Sequence, residues 1–325
     1  MRKYGFRKGQ DHGSSAHMNI AKAVLLKLAS AMLFAVMSAL IRYVGDVVPL
    51  GQIVFFRSAF AILPVVLIYA WRRELMVAVR TNRPLGHLTR GLISIVGMSL
   101  NFAGLARLPL VDAIAIGFAT PLVTVGMAAV ILKERVRIYR WSAVIVGFGG
   151  VLVMLTPHLD VVQSWGAAPS VATVGALCAL AAVFANAGSV IQTRRLTDTE
   201  TTPAIVFYFS LICALGGLLT LPFGWHVPNV TQMAALATIG ICGGLAHLLL
   251  TESFRYAPAS LLAPFDYTAM LWAFVLGYVM FGEVPTVEVF IGAAIVTAAG
   301  LFVVWRERQL GLQRQRAAEG PPVGT

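Results

Sequence analysis

Apolar residues in this chain gather into runs of roughly 20, the length a helix needs to cross about 30 Å of hydrocarbon at 1.5 Å per residue. Ten such runs can be drawn, over residues 23–44, 49–71, 88–105, 111–132, 141–156, 170–192, 203–223, 233–254, 259–281 and 287–305. What remains is short connections and two polar tails. The pattern predicts an all-α integral membrane protein with ten transmembrane helices and no room for a soluble domain.

Composition supports this: 58% of residues are hydrophobic and 12% charged, against about 45 to 50% and about 25% in soluble domains. There is no GxxxxGK[ST] loop, no HExxH and no CxxC, so no phosphate cradle, zincin site or thiol pair is expected. No cofactor, metal or catalytic residue follows. Cys178, Cys213 and Cys242 lie inside apolar runs as small hydrophobic filler.

The net charge of +11 suggests nucleic acid or acidic lipid until its distribution is considered. With the N-terminus inside, all but four of the 25 Lys and Arg fall in or beside cytoplasmic segments, Arg90 among them. Arg42 and Arg107 sit at outer ends, and Lys27 and Arg57 lie within helices. The cations therefore orient the helices, and no nucleic-acid partner is expected. Both termini are predicted to be cytoplasmic. The basic segment 1–22 precedes an apolar run too long for a cleavable signal core and reads as a retained tail. Trp71, Tyr139, Trp141, Trp225 and Trp305 fit an interfacial belt.

The two halves resemble each other. Pro109 precedes the fourth run and Glu134 follows it; Pro258 and Glu283 flank the ninth in the same way, 149 residues on. Residues 53–58 in the second run match 205–210 in the seventh, and Phe34, Ala35 and Ile41 match Phe184, Ala185 and Ile191. Five helices per repeat is odd, so the second copy enters from the opposite face. The expected organisation is a cytoplasmic tail (1–22), a first repeat (23–156), an external linker (157–169), an inverted second repeat (170–305) and a second cytoplasmic tail (306–325). Such halves can expose one central site to each side in turn.

The Phe55-Phe56-Arg57-Ser58 stretch, the run Arg107-Leu-Pro-Leu-Val-Asp112-Ala113, Ala119-Thr120-Pro121 and Leu132-Lys133-Glu134 resemble the drug/metabolite transporter superfamily, in its EamA branch. The resemblance spans nearly the whole chain outside the tails. It implies a secondary transporter of small organic solutes working without ATP in a bacterial inner membrane, as monomer or homodimer, with proton or counter-solute coupling as an option. Members with such a second helix include carriers for riboflavin or S-adenosylmethionine uptake; amino-acid or drug export is the other direction the resemblance allows.

Ionisable groups inside hydrocarbon are costly, so those present are candidates for function. Arg57 lies about eight residues into its helix, roughly 12 Å deep. It reads either as a cation meeting an anionic or electron-rich part of the solute or as a structural partner of Asp112. Its repeat-matched position is Phe209, so the scaffold does not require a charge there. Asp266 and His247, which align with Gly117 and Met98, are titratable groups that proton coupling would need; the alternatives are a backbone-bonded Asp266 beside Pro264 and a His247 satisfied in a helix interface. Asn101, Asn186, Tyr208, Tyr267 and Trp272 are candidate cavity-wall residues. Pro121 and Pro264 interrupt helices of corresponding rank, as kinks around a site or as packing features. Glu134 and Glu283 read as caps or gating groups at helix exits, each capping the helix that follows. Gly240 and Gly244 form a GxxxG, and Gly147, Gly149 and Gly150 also permit close helix approach.

An intramembrane protease is the rival class. Ser99 with His247 would make a rhomboid-like pair and Asp112 with Asp266 an aspartyl pair, but the glycine after the serine and the GxGD motif are both missing, and neither explains an inverted repeat.

Overall fold

The computed structural model describes residues 12–71, 73, 76, 79–131, 138–158, 170–197, 199–256 and 262–318, and there the chain is helical. Its helices are α1 (His12–Gly45), α2 (Leu50–Trp71), α3 (Pro84–Leu105), α4 (Leu110–Gly117), α5 (Thr120–Ile131), α6 (Ile138–Leu155), α7 (Val171–Thr197), α8 (Thr202–Leu218), α9 (Val230–Tyr256), α10 (Thr268–Phe281) and α11 (Val287–Ala318), with a 3-10 turn at Ala263–Tyr267 before α10. Among the described residues eight stretches are long and apolar enough to cross a membrane, one of them the broken pair α4 and α5 taken together, and Trp141–Leu155 and Phe265–Phe281 are shorter apolar helices. Large apolar side chains such as Leu67, Leu92, Ile145, Leu271, Val279 and Phe290 are exposed on the outer surface. In water these would be a liability; against lipid they are the expected lining. This is a multi-pass membrane protein.

Helices do not pack in chain order. α1 lies along α9 and α3 along α7; α2 contacts α8 and α9, α3 contacts α8, and α6 pairs with α11. Each of these seams joins the first half of the chain to the second. Small residues close two of them. A Cβ on Gly240 would fall 2.9 Å from the Phe56 carbonyl oxygen, and one on Gly244 3.0 Å from that of Ala61, so the expected GxxxG packs α9 on α2. At the α6–α11 seam, a Cβ on Gly292 would run into the Gly150 carbonyl oxygen and meet the Met154 nitrogen at 3.0 Å, whereas one on Gly149 meets nothing within 4 Å. Gly292→Ala must therefore push two backbones apart. We expect a destabilisation of about 1 to 3 kcal/mol, seen as a lowered melting temperature in detergent, while Gly149→Ala leaves it unchanged; equal melting of both variants would refute the close seam.

Two expected helices are interrupted. The fourth run is α4 and α5, divided at Phe118 and Ala119, and the ninth begins as the 3-10 turn that contains Pro264. Pro121, placed at the start of α5, is at a position where its missing N–H costs little. The interruptions do correspond: Phe118 and Tyr267 are 149 residues apart, and their rings touch, with centroids 5.2 Å apart. The kinks thus fall at matched places although the prolines do not. The third helix begins at Pro84, one turn before the sequence boundary at 88, and this brings His87 into the same helix as Arg90.

Candidate functional site

Arg57 projects from α2 into the ground between the two halves and is 4% exposed. Its Nη2 donates to Nε2 of His247 on α9 at 3.2 Å; because guanidinium only donates, this contact requires the neutral imidazole with its proton on Nδ1. Nε and Nη1 of Arg57 are buried without a hydrogen-bond partner. The guanidinium carbon sits 5.4 Å from the ring centroid of Phe209 on α8, and that of Arg90 on α3 sits 4.7 Å from the same ring, within cation–π range. Phe34 of α1 meets His247 edge-on at 5.0 Å. Four helices of the second and first halves thus contribute to one cluster, with α3 closing its side. Arg90 is anchored: Nε donates to Thr193 Oγ1 at 2.6 Å and Nη1 to the Ile205 carbonyl at 2.8 Å. Neither guanidinium is ion-paired with a carboxylate among the described residues.

Polar ties close the helix ends around this cluster. Where α1 and α10 end and α4 starts, Arg42 is paired with Glu283, its Nε donating to Oε1 at 2.7 Å and its Nη1 to the Leu105 carbonyl at 3.2 Å. The other Glu283 oxygen accepts the Leu110 amide at 2.7 Å, so the carboxylate caps the first turn of α4. At the opposite ends, His87 Nε2 lies 3.5 Å from Glu200 Oε2, and the Asn82 amide donates to Glu200 Oε1 at 2.8 Å. Burial works against the charge of Glu200, but the Asn82 amide, the His87 ring and the Arg83 amide outweigh it and hold the carboxyl below its usual range.

Residues 21–156 and, again, residues 173–305 match the EamA-like transporter family. The chain belongs to that family. Among its relatives, an S-adenosylmethionine uptake transporter of Rickettsia prowazekii is 29% identical over 88% of this chain and 92% of its own. A riboflavin transporter of Rhizobium johnstonii is 32% identical over 71% and 74%, and a pseudopaline exporter of Pseudomonas aeruginosa is 30% identical over 86% and 95%. All three are named as transporters and none as an enzyme. A solved structure described as "Crystal structure of protein" shares the fold, with a TM-score of 0.60 at 21% identity over 89% of this chain and 97% of that one.

Of the residues expected at a site in this EamA-family chain, the structure brings Arg57 and His247 together. It does not join Arg57 to Asp112, which is buried in the first turn of α4. Asp266 is not the buried carboxylate the sequence suggested: its side chain is 54% exposed and its Oδ1 lies 2.5 Å from Nζ of Lys27, itself 5% exposed. The 3-10 turn that holds Asp266 leaves its carboxylate exposed, and α1 delivers the lysine to it. Tyr208 sits away from Arg57, its hydroxyl on the Val79 carbonyl at 2.7 Å and its ring 4.8 Å from His87. Asn186 packs against Gly97, where a Cβ would come 2.6 Å from its Oδ1; Asn101 and Trp272 are half-buried on α3 and α10. Tyr267 packs on Phe118 at the helix interruption, the two rings tilted by 58°. Glu283 caps α4 of the other half rather than the helix that follows it, and Glu134 lies outside the described residues. Arg90 was missed because it lies only two residues inside the third run, where a cation reads as an orienting charge at the cytoplasmic end.

Proposed function

We propose that this protein is a secondary transporter which moves a small organic metabolite through a central site by alternating access. Ten spans in two inverted five-helix repeats, 23–156 and 170–305, sit in a bacterial inner membrane with both termini cytoplasmic, the orientation that the distribution of Lys and Arg favours. The doubled family match supports the repeat, and so do the seams: α1 on α9 mirrors α7 on α3, while the α2–α8 and α6–α11 seams each map onto themselves. Two pairs of repeat-matched residues, Arg57 with Phe209 and Phe118 with Tyr267, are in contact. A residue touches its own mate only close to the pseudo-twofold axis, and that axis is where a site shared by two alternating states belongs.

The observation that carries the reading is Arg57 itself. A buried guanidinium with two unpartnered donor nitrogens, set on that axis, is costly to maintain and gains a partner when a solute arrives. Glu283 with Arg42 then acts as a gate on one side, with Glu134, Pro121, Pro264 and Asp112 as shaping elements, and Asn101, Asn186, Tyr267 and Trp272 as flanking walls. Proton coupling has a natural seat at His247, since protonation of Nε2 and its contact with Arg57 exclude each other; Asp266, paired with Lys27, is the second candidate position. Reconstitution into liposomes and a flux screen over vitamins, nucleosides, amino acids and aromatic compounds, with and without a proton gradient, tests this. Saturable flux of at least one solute is expected, and cleavage of a membrane substrate without any flux would overturn it in favour of a protease.

A further inference from the structure

Arg57 and Arg90 approach one ring, Phe209, and their guanidinium carbons are therefore at most about 10 Å apart. Neither has a described carboxylate as partner. Two cations held close together between the halves of a membrane protein repel each other and lose hydration, and the described residues offer no countercharge. The donors left over are Nε and Nη1 of Arg57, which are buried and unpartnered, and Nη2 of Arg90, whose Nε and Nη1 are spent on Thr193 and Ile205. These three nitrogens carry several N–H groups, which the roughly four lone-pair sites of a carboxylate, or the larger number of a phosphate, can take up.

We propose that Arg57 and Arg90 together form the anion subsite of the transport path, selecting solutes that carry a carboxylate or phosphate group and packing their apolar part on Phe209 and Phe34. The proposal rests on the transporter reading for its physiological meaning but is tested by binding alone. Arg90 is already set in place for anion capture, because its bonds to α7 and α8 hold the guanidinium and little side-chain freedom is lost on binding. Arg57 donates a hydrogen bond to His247 and keeps Nε and Nη1 for the anion. Neutral solutes of the same shape leave both cations uncompensated and are rejected.

The test is thermal unfolding of the purified full chain in detergent with benzoate, inorganic phosphate and, as a neutral match for benzoate, benzamide. Benzoate or phosphate is expected to raise the melting temperature saturably at millimolar concentration, and benzamide is not; which anion acts distinguishes a carboxylate from a phosphate solute. Arg57→Gln and Arg90→Gln should each weaken the apparent affinity by about tenfold or more, Arg90→Lys should restore part of it, and the exposed Arg195→Gln should leave it intact. Since Arg90→Gln loses two helix-joining bonds, Arg57→Gln and Arg90→Lys keep the test decisive if that variant misfolds. A shift with benzamide equal to that with benzoate, no shift with either anion, or undiminished binding by Arg57→Gln would overturn the proposal. Saturable flux of a neutral solute through an Arg57→Gln protein would overturn it too while leaving the transporter reading in place; anion binding without flux of any solute would do the reverse.

Discussion

Arg57→Ala is expected to reduce solute flux in proteoliposomes to background while leaving the melting temperature of the purified protein unchanged or raised. The two halves of that expectation have one cause. A guanidinium that is 4% exposed, with Nε and Nη1 unpartnered, carries a desolvation cost of several kcal/mol that its single contact with a neutral imidazole does not offset. Truncation removes that cost together with the repulsion from Arg90. Against it stand a small cavity and the lost attraction to the Phe209 ring, about 0.5 to 2 kcal/mol. A residue kept for structure would show the opposite, loss of stability with retention of flux in whatever protein folds. Full flux by a well-folded Arg57→Ala protein would remove Arg57 from the mechanism, and Arg57→Lys, which keeps charge without the planar fork, is expected to fall between the two.

Glu283→Ala should fail in the other way, losing stability and flux together. Its carboxylate joins Arg42 on α1 to the Leu110 amide that opens α4, and both side chains of the pair are largely shielded, at 22% and 13% exposure. Removing it strands a shielded guanidinium and an unpaired helix-start amide, a loss of about 2 to 3 kcal/mol. Glu283→Gln retains an acceptor for the Leu110 amide and is expected to lose about half as much. Measured by thermal unfolding, the order wild type, Gln, Ala tests the dual role. If Gln and Ala melt alike, the charge alone matters and the cap does not. The pair also bears on gating: with α1, α4 and the end of α10 untied on one face, that face is expected to open, and flux should fall even in the fraction of protein that remains folded.

These two residues show how far the sequence could be read. Arg57 stood out because a charge at the eighth position of an apolar run violates the composition of everything around it. Glu283 stood out through its repeat-matched spacing with Glu134, yet its partner was misassigned to the following helix. Arg90 was hidden by its place, two residues inside the third run, where a cation reads as an orienting charge. Its bonds to Thr193 and Ile205 and its approach to Phe209 exist only once α7 and α8 have packed on α3. Asp266 erred in the other direction: counting residues from the start of the ninth run gave depth, but the 3-10 turn that begins that segment keeps the side chain half-exposed.

By itself the sequence determined the membrane location, the apolar segments and the 149-residue correspondence between the halves, because each depends on local composition over about 20 residues or on spacing along the chain. Only the tertiary structure decided which charges meet. Lys27 finds Asp266, Arg42 finds Glu283 and Arg57 finds His247 across separations of 190 residues or more. Such pairings are set by packing one half against the other, with glycines drawing backbones together at the seams. No local pattern records them, since the energy that selects a partner for a buried charge exists only once the helices have closed around it.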